Sequence, residues 1–336
     1  MFNVLIFLYL CSGINEERNM WLFIVKFLVG LLLVVKGADF LTDGASSIAR
    51  KFKVSTLLIG LTIVSFGTSL PELVVSSVSA LKGSSDMALG NVVGSNMFNT
   101  LAIVGVTALF CPIVCKKDLL LRDIPVNVLV TCTLFVMLYY CSSIGTLTRI
   151  EGATLLIIFI IYMGFTIYTS LKSSKRTEEA PAEALMPMWK AILWIVLGLV
   201  ALVFGGDWFV DGAAGIAAEL GVSESVIALT IVSAGTSFPE LATSVVAARK
   251  GDTDMAMGNV VGSNIFNIMF ILGVASVINP IAAKNISIVD FKILLFSILL
   301  LTVFCVVGKR HRIGRWQGAV LTICMIAYYA YLVYNS

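Results

Sequence analysis

Apolar residues fill this chain in runs of about twenty, the length that crosses the hydrocarbon layer of a membrane as one helix. Ten runs stand out: Trp21–Leu41, Thr56–Leu81, Met87–Phe110, Ile124–Tyr140, Ile150–Leu171, Trp189–Val210, Val226–Ala247, Met255–Ile278, Phe291–Val307 and Gln317–Val333. Each predicts a transmembrane helix. One long polar stretch, Lys172 to Met188 with KSSKRTEEAPAEA at its core, divides them five and five. Residues 1–19 carry an apolar run too short for a span and lack the basic start of a secretory signal. They are expected to be an N-terminal extension, either disordered or a mis-assigned start ahead of Met20.

Sliding the chain by 168 positions, half of its 336 residues, lays it on itself without a gap. Gly60–Gly105 against Ala228–Gly273 has 30 identities in 46 positions, with LTIVS, GTS, PEL and GNVVGSN in common. Upstream, Gly37, Asp39, Asp43 and Gly44 face Gly205, Asp207, Asp211 and Gly212; downstream of Gly105 and Gly273 the likeness fades. An odd number of spans separates the copies, so they sit in the membrane with opposite orientation. The expected fold is an all-α membrane protein: ten transmembrane helices in two inverted five-helix repeats, 20–171 and 189–336, joined by a linker at 172–188. That is transporter architecture.

Composition agrees. The chain is 59% hydrophobic and 13% charged with a mean hydropathy of +0.99, against about 45–50% and about 25% in soluble domains. A net charge of +3, scattered along the chain, excludes nucleic acid as a partner. The odd-numbered connections hold fifteen Lys and Arg, whereas the other side has Arg18, Lys82, Arg149 and Lys284. The excess predicts a multi-pass inner-membrane protein with a cytoplasmic 172–188 loop and both termini extracytoplasmic. The seven cysteines read as small buried hydrophobes. The sole histidine, His311, lies in a basic connection, which argues against a zinc or copper site.

Chemistry concentrates half-way along the second and seventh spans, in Ser65-Phe-Gly67-Thr68-Ser69-Leu-Pro71-Glu72 and Ser233-Ala-Gly235-Thr236-Ser237-Phe-Pro239-Glu240. Pro71 and Pro239 have no N–H for the carbonyls of Gly67 and Gly235, so each helix should kink or break there. Irregular backbone at that depth lines a cavity or is buried in protein. Ser65, Ser69, Glu72 and Ser76 share one helical face, as do Ser233, Ser237, Glu240 and Ser244. Proline with Ser and Thr alone fits an ordinary kinked helix; the glutamates change that, because a carboxylate at the bilayer centre costs about 2.5–3.5 kcal/mol even on insertion scales. Hydroxyls, freed carbonyls and carboxylates are the hard oxygen ligands that Ca²⁺ and Na⁺ prefer. The third and eighth spans offer a second wall, with Asn91, Ser95, Asn99 and Asn259, Ser263, Asn267 recurring every four residues. Asn96 and Asn264 lie off that face and read as helix–helix hydrogen-bonding groups.

With GTSLPE and GNVVGSNMFN in one half and GTSFPE and GNVVGSNIFN in the other, the chain resembles the Na⁺/Ca²⁺ exchangers of the cation/Ca²⁺ antiporter superfamily, of the type without a regulatory domain. The resemblance implies a Ca²⁺ site made by Glu72 and Glu240 with backbone carbonyls of Thr68 and Thr236. It implies Na⁺ sites using Ser65, Thr68, Ser69, Glu72 and Ser95, and Ser233, Thr236, Ser237, Glu240 and Ser263, with Asn99 and Asn267 at the centre. Some relatives carry Asp where this chain has Asn267, which removes a carboxylate. The expected activity is secondary active Na⁺/Ca²⁺ antiport by alternating access, normally extruding Ca²⁺, with no enzymatic reaction, cofactor or obligatory protein partner beyond ions and lipid. Two carboxylates balance one Ca²⁺ or two Na⁺, while an empty site leaves two like charges buried together. Ca²⁺/H⁺ exchange, K⁺-dependent exchange and, less favoured by the inverted halves, a Ca²⁺ channel are the alternatives.

Overall fold

The computed structural model describes residues 2–140, 145–174, 186–222, 227, 231, 233–283, 288–307 and 311–335, without the side chains of 2–19, 173–174, 233 and 335. The expectation for residues 1–19 therefore lies outside the described side chains, as does most of the 172–188 linker. Among the described residues the longer helices are α1 (Phe2–Phe52), α2 (Thr56–Thr68), α3 (Leu70–Leu81), α4 (Ser85–Phe110), α5 (Leu119–Tyr140), α6 (Arg149–Ser174), α7 (Met188–Glu219), α8 (Phe238–Arg249), α9 (Thr253–Ile278), α10 (Ile288–Val307) and α11 (Arg315–Asn335). Among the described residues eight are long and apolar enough to cross a membrane, and α2 with α3 form a ninth span bent by 49°. Helices α4 and α9 are the most buried of these, so the two polar strings of the GNVVGSN type run through the centre of the molecule.

The first and sixth spans outrun the apolar runs that predict them. Helix α1 continues past Leu41 to Phe52, and α7 past Val210 to Glu219. Asp39 and Asp43 are thus inside α1, where polar residues had marked the end of a span. The helices continue because their small residues pack on each other. Of glycines spaced seven residues apart on each helix, Gly30 meets Gly205 and Gly37 meets Gly198, while Gly44 lies on Ala191 and Ile195 and Gly212 on Phe23 and Phe27; the order of contacts makes the pair antiparallel. A Cβ on Gly37 would lie 2.8 Å from Gly198 O, and one on Gly212 2.4 Å from Phe27 N. Close backbone approach of this kind is open only to glycine.

Two short antiparallel strand pairs tie the halves at their edges. β1 (Ile113–Val114) pairs with β4 (Arg312–Ile313), and β2 (Thr146–Leu147) with β3 (Ile281–Ala282). Ile113 and Ile281 are 168 apart, whereas Leu147 and Ile313 are 166 apart. The repeat therefore continues beyond Gly105 and Gly273 with a two-residue slip. Gly105 packs on Gly318 and Gly273 on Gly152, a further exchanged pair with the same offsets. The Tyr328 hydroxyl donates to Asp290 Oδ1 (3.0 Å), as Tyr162 does to Asp123 Oδ1 (3.0 Å).

Candidate ion-binding site

Helix α2 stops at Thr68 and α3 starts at Leu70, with Ser69 at the bend. Ser237 takes the same place before α8. Pro71 and Pro239 fall in the first turn of their helices, where a missing N–H leaves no vacancy in the ladder. Glu72 and Glu240 follow in the same turn, so each carboxylate sits at the positive end of a short helix.

Both glutamates are wholly buried, and each is held from the opposite half of the chain. Ser237 Oγ donates to Glu72 Oε1 (3.0 Å), and Ser69 Oγ donates to Glu240 Oε1 (2.8 Å). Ser95 Oγ makes a longer contact with Glu72 Oε1 (3.5 Å), and Ser69 Oγ lies 3.0 Å from Ser263 Oγ. Asn91 Nδ2 donates to Glu72 O (3.3 Å) and Ser76 Oγ (3.0 Å). Asn259 Nδ2 repeats this on Glu240 O (3.2 Å) and Ser244 Oγ (3.0 Å). These amides fix the backbone that carries the carboxylates, and Ser76 and Ser244 serve them rather than the site.

One turn further along, α4 and α9 widen into π-type turns at Phe98–Ile103 and Asn267–Ile271. Such turns recur where a helix serves a site. Asn99 Nδ2 donates to Asn264 Oδ1 (3.1 Å) and Asn267 Nδ2 to Asn96 Oδ1 (3.0 Å). Asn96 Nδ2 in turn reaches Asn264 O (3.1 Å), and Asn264 Nδ2 reaches Thr100 Oγ1 (2.9 Å). With their NH₂ groups committed to this network, the other ends of Asn99 and Asn267 point away from it. Among the described residues, Asn99 Oδ1, Asn267 Oδ1, Glu72 Oε2 and Glu240 Oε2 are buried and accept no hydrogen bond.

Buried oxygens are ordinarily paired. Asp123 provides the internal standard. It too is wholly buried, although the sequence places it in a connection, but Arg122 (2.7 and 3.0 Å) and Tyr162 (3.0 Å) occupy both of its oxygens. Glu72 and Glu240 have no such cation. Two carboxylate and two amide oxygens without a proton donor match the donor set of a hard cation such as Ca²⁺ or Na⁺.

Residues 22–168 and 190–334 match the family model described as sodium/calcium exchanger protein. The chain belongs to the sodium/calcium exchanger family. It is 32% identical over 342 residues to the sodium/calcium exchanger MaX1 of Methanosarcina acetivorans, covering 91% of this chain and 97% of that one. It is 34% identical over 323 residues to the inner membrane protein YrbG of Escherichia coli, covering 92% and 96%. A solved structure of the sodium–calcium exchanger NCX_Mj, soaked with 10 mM Na⁺ and zero Ca²⁺, superposes with a TM-score of 0.79 at 34% identity, covering 93% of this chain and 99% of that one. The protein is thus a multi-pass membrane transporter of an antiporter family and not an enzyme.

In this exchanger hydrogen bonds form two matched groups, Glu72 with Ser237 and Ser95, and Glu240 with Ser69 and Ser263, and Asn99 and Asn267 follow one turn after Ser95 and Ser263. Thr68 stands at their edge, its Oγ1 donating to Val64 O (3.1 Å) and lying 3.1 Å from Asn259 Oδ1. Thr236 Oγ1 is buried with no partner among the described residues. Ser65 packs against Gly262 of α9, where a Cβ would come within 2.7 Å of its Oγ, and bonds Thr62 O (3.4 Å) rather than either glutamate. The side chain of Ser233 lies outside the described residues. Thr100 was invisible as a site-supporting residue because its repeat partner is Ile268; the only signal was a hydroxyl four positions after Asn96.

Proposed function

We propose that this protein exchanges Na⁺ for Ca²⁺ across the inner membrane by alternating access, normally extruding Ca²⁺. The observation that carries the proposal is the set of four unpaired buried oxygens on Glu72, Glu240, Asn99 and Asn267. Glu72 and Glu240 hold Ca²⁺ with the backbone carbonyls of Thr68 and Thr236. Ser65, Thr68, Ser69 and Ser95, with Ser233, Thr236, Ser237 and Ser263, supply Na⁺ ligands around the same carboxylates. Gly67, Pro71, Gly235 and Pro239 break the helices that frame them. The names of MaX1 and NCX_Mj support this choice of ions.

The architecture we infer has ten spans in two inverted halves, 20–171 and 189–336, joined at 172–188. Contacts between connections support the count. β1 meets β4, β2 meets β3, and Thr56 Oγ1 donates to Asp252 Oδ1 (2.7 Å). Partners in each pair lie on one membrane face only if the segment between Glu219 and Asp252 crosses once. The Lys and Arg excess then orients the odd connections to the cytoplasm and both termini outward.

The test is ⁴⁵Ca²⁺ uptake by proteoliposomes loaded with Na⁺, with K⁺, or with a pH gradient alone. An outward Na⁺ gradient is expected to drive uptake without K⁺. Equal uptake driven by a proton gradient without Na⁺ would overturn the Na⁺ reading in favour of Ca²⁺/H⁺ exchange.

A further inference from the structure

The repeat duplicates a charged triplet that the ion site does not use. Lys250 at the end of α8 corresponds to Lys82 at the end of α3, and Asp39 and Asp43 of α1 correspond to Asp207 and Asp211 of α7. The two copies differ in the structure. Lys250 Nζ lies 3.2 Å from Asp39 Oδ1 and 2.8 Å from Asp43 Oδ1, and donates to Thr42 Oγ1 (3.0 Å). Lys82 is exposed and has no ion-pair partner among the described residues. Asp207 is exposed, and Asp211 pairs instead with Lys26 of α1 (3.3 Å).

Packing shows the same asymmetry. Helix α1 lies along α8, whereas α7 has no comparable run of contacts with α3. Val74 and Val78 on α3 are consequently 59% and 40% exposed, while their repeat partners Ala242 and Val246 are packed into the core cluster under α1. One end of the α1/α7 pair is fastened and the other is free.

We propose that Lys250 and Lys82 are alternate latches, positioning residues for the exchange reaction that hold the α1/α7 pair in one of its two positions. In the state seen here Lys250 grips Asp39 and Asp43. In the opposite state Lys250 lets go, α7 covers Val74 and Val78, and Lys82 grips Asp207 and Asp211. This rests on the alternating-access reading. The second latch is the weaker one, because Val210 stands where Thr42 supplies a hydroxyl to Lys250.

The experiment uses the full chain in proteoliposomes, with native cysteines replaced by serine and one cysteine introduced by Val74→Cys or Ala242→Cys. Labelling by a membrane-impermeant maleimide is followed in Na⁺ and in Ca²⁺. Lys250→Ala is expected to lower labelling at position 74 and raise it at position 242 by about threefold, as removal of a partly exposed ion-pair network shifts a two-state population. Lys82→Ala is expected to shift the ratio the other way. Combining Lys250→Asp with Asp43→Lys should restore the parent ratio, which separates a latch from general damage. Labelling that responds to the ions but to neither lysine substitution overturns the latch and leaves alternating access standing. Labelling that ignores the ions overturns both.

Discussion

Glu72 and Glu240 are told apart from Asp123, the other buried acid among the described residues, by what their second oxygens meet. Asp123 has Arg122 and Tyr162 on its carboxylate, whereas Glu72 Oε2 and Glu240 Oε2 meet no donor among the described residues. In Glu72→Gln, the amide oxygen can still accept from Ser237, but an NH₂ replaces the free oxygen and presents protons where a cation is to sit. Exchange is expected to fall by more than about a hundredfold for Glu72→Gln and for Glu240→Gln, since losing even a group that only orients a ligand costs 10–100-fold. Wild-type ⁴⁵Ca²⁺ flux in either variant would remove the site assignment. These residues were legible in the sequence because a carboxylate beside a proline at membrane depth has few structural uses. The roles of their neighbours were not. Asn96 and Asn264 read as inter-helical hydrogen-bonding groups, which they are, but period alone does not tell that their bonds turn Asn99 Oδ1 and Asn267 Oδ1 outward. That depends on the wide turns at Phe98–Ile103 and Asn267–Ile271, and no apolar pattern announces those.

Among the elements, α1 and α7 have an unusual construction. They are among the least buried of the long helices, yet glycines at seven-residue intervals bring their backbones into contact. Because a heptad of small residues lets the two backbones touch, the seam holds α1 and α7 together as one unit around a narrow groove. A side chain in the groove must push the helices apart. The Cβ created by Gly37→Ala would meet Gly198 O at 2.8 Å and Leu202 N at 2.9 Å, both backbone atoms that cannot rotate away. A destabilisation of about 1–3 kcal/mol is expected from such overpacking. Gly164→Ala on α6 meets nothing within 4 Å and should be neutral or mildly stabilising. Thermal unfolding in detergent, followed by tryptophan fluorescence, checks the contrast; equal midpoints for the two variants would mean that the groove is not close-packed. The same glycines explain why these two helices run on past the ends of their apolar runs. Asp39, Asp43 and Gly44 look like a span terminus when counted by hydropathy, whereas helix–helix packing and the Lys250 ion pairs keep the chain helical to Phe52.

At the scale of the whole molecule, the repeated contacts Ser69 to Glu240, Ser237 to Glu72, β1 to β4 and β2 to β3 cross from one half to the other. Beyond its first strand the second half is shorter by two residues, a slip that a fixed offset cannot follow. On the proposed ion site, the net charge of this shared centre limits which ions the exchange cycle can carry. With Asn at both positions 99 and 267, the centre holds −2, which one Ca²⁺ or two Na⁺ neutralises; a third Na⁺ would leave an uncompensated positive charge in a low-dielectric interior. Exchange by the native chain is then expected to be nearly indifferent to membrane potential. Asn267→Asp adds a third carboxylate, and with it a third Na⁺ can enter. To accept it, the Asn96 amide must rotate, since its Oδ1 now receives a hydrogen bond from Asn267 Nδ2 (3.0 Å) and would face a carboxylate oxygen instead. One net charge per cycle is worth about 2.3 kcal/mol per 100 mV. In vesicles clamped with valinomycin and K⁺, Ca²⁺ accumulation by Asn267→Asp should therefore shift with potential, and its Na⁺ dependence should steepen. A native chain whose Ca²⁺ gradient already shifts by that amount per 100 mV would mean that three Na⁺ are exchanged without a third carboxylate, and that the two glutamates do not set the stoichiometry.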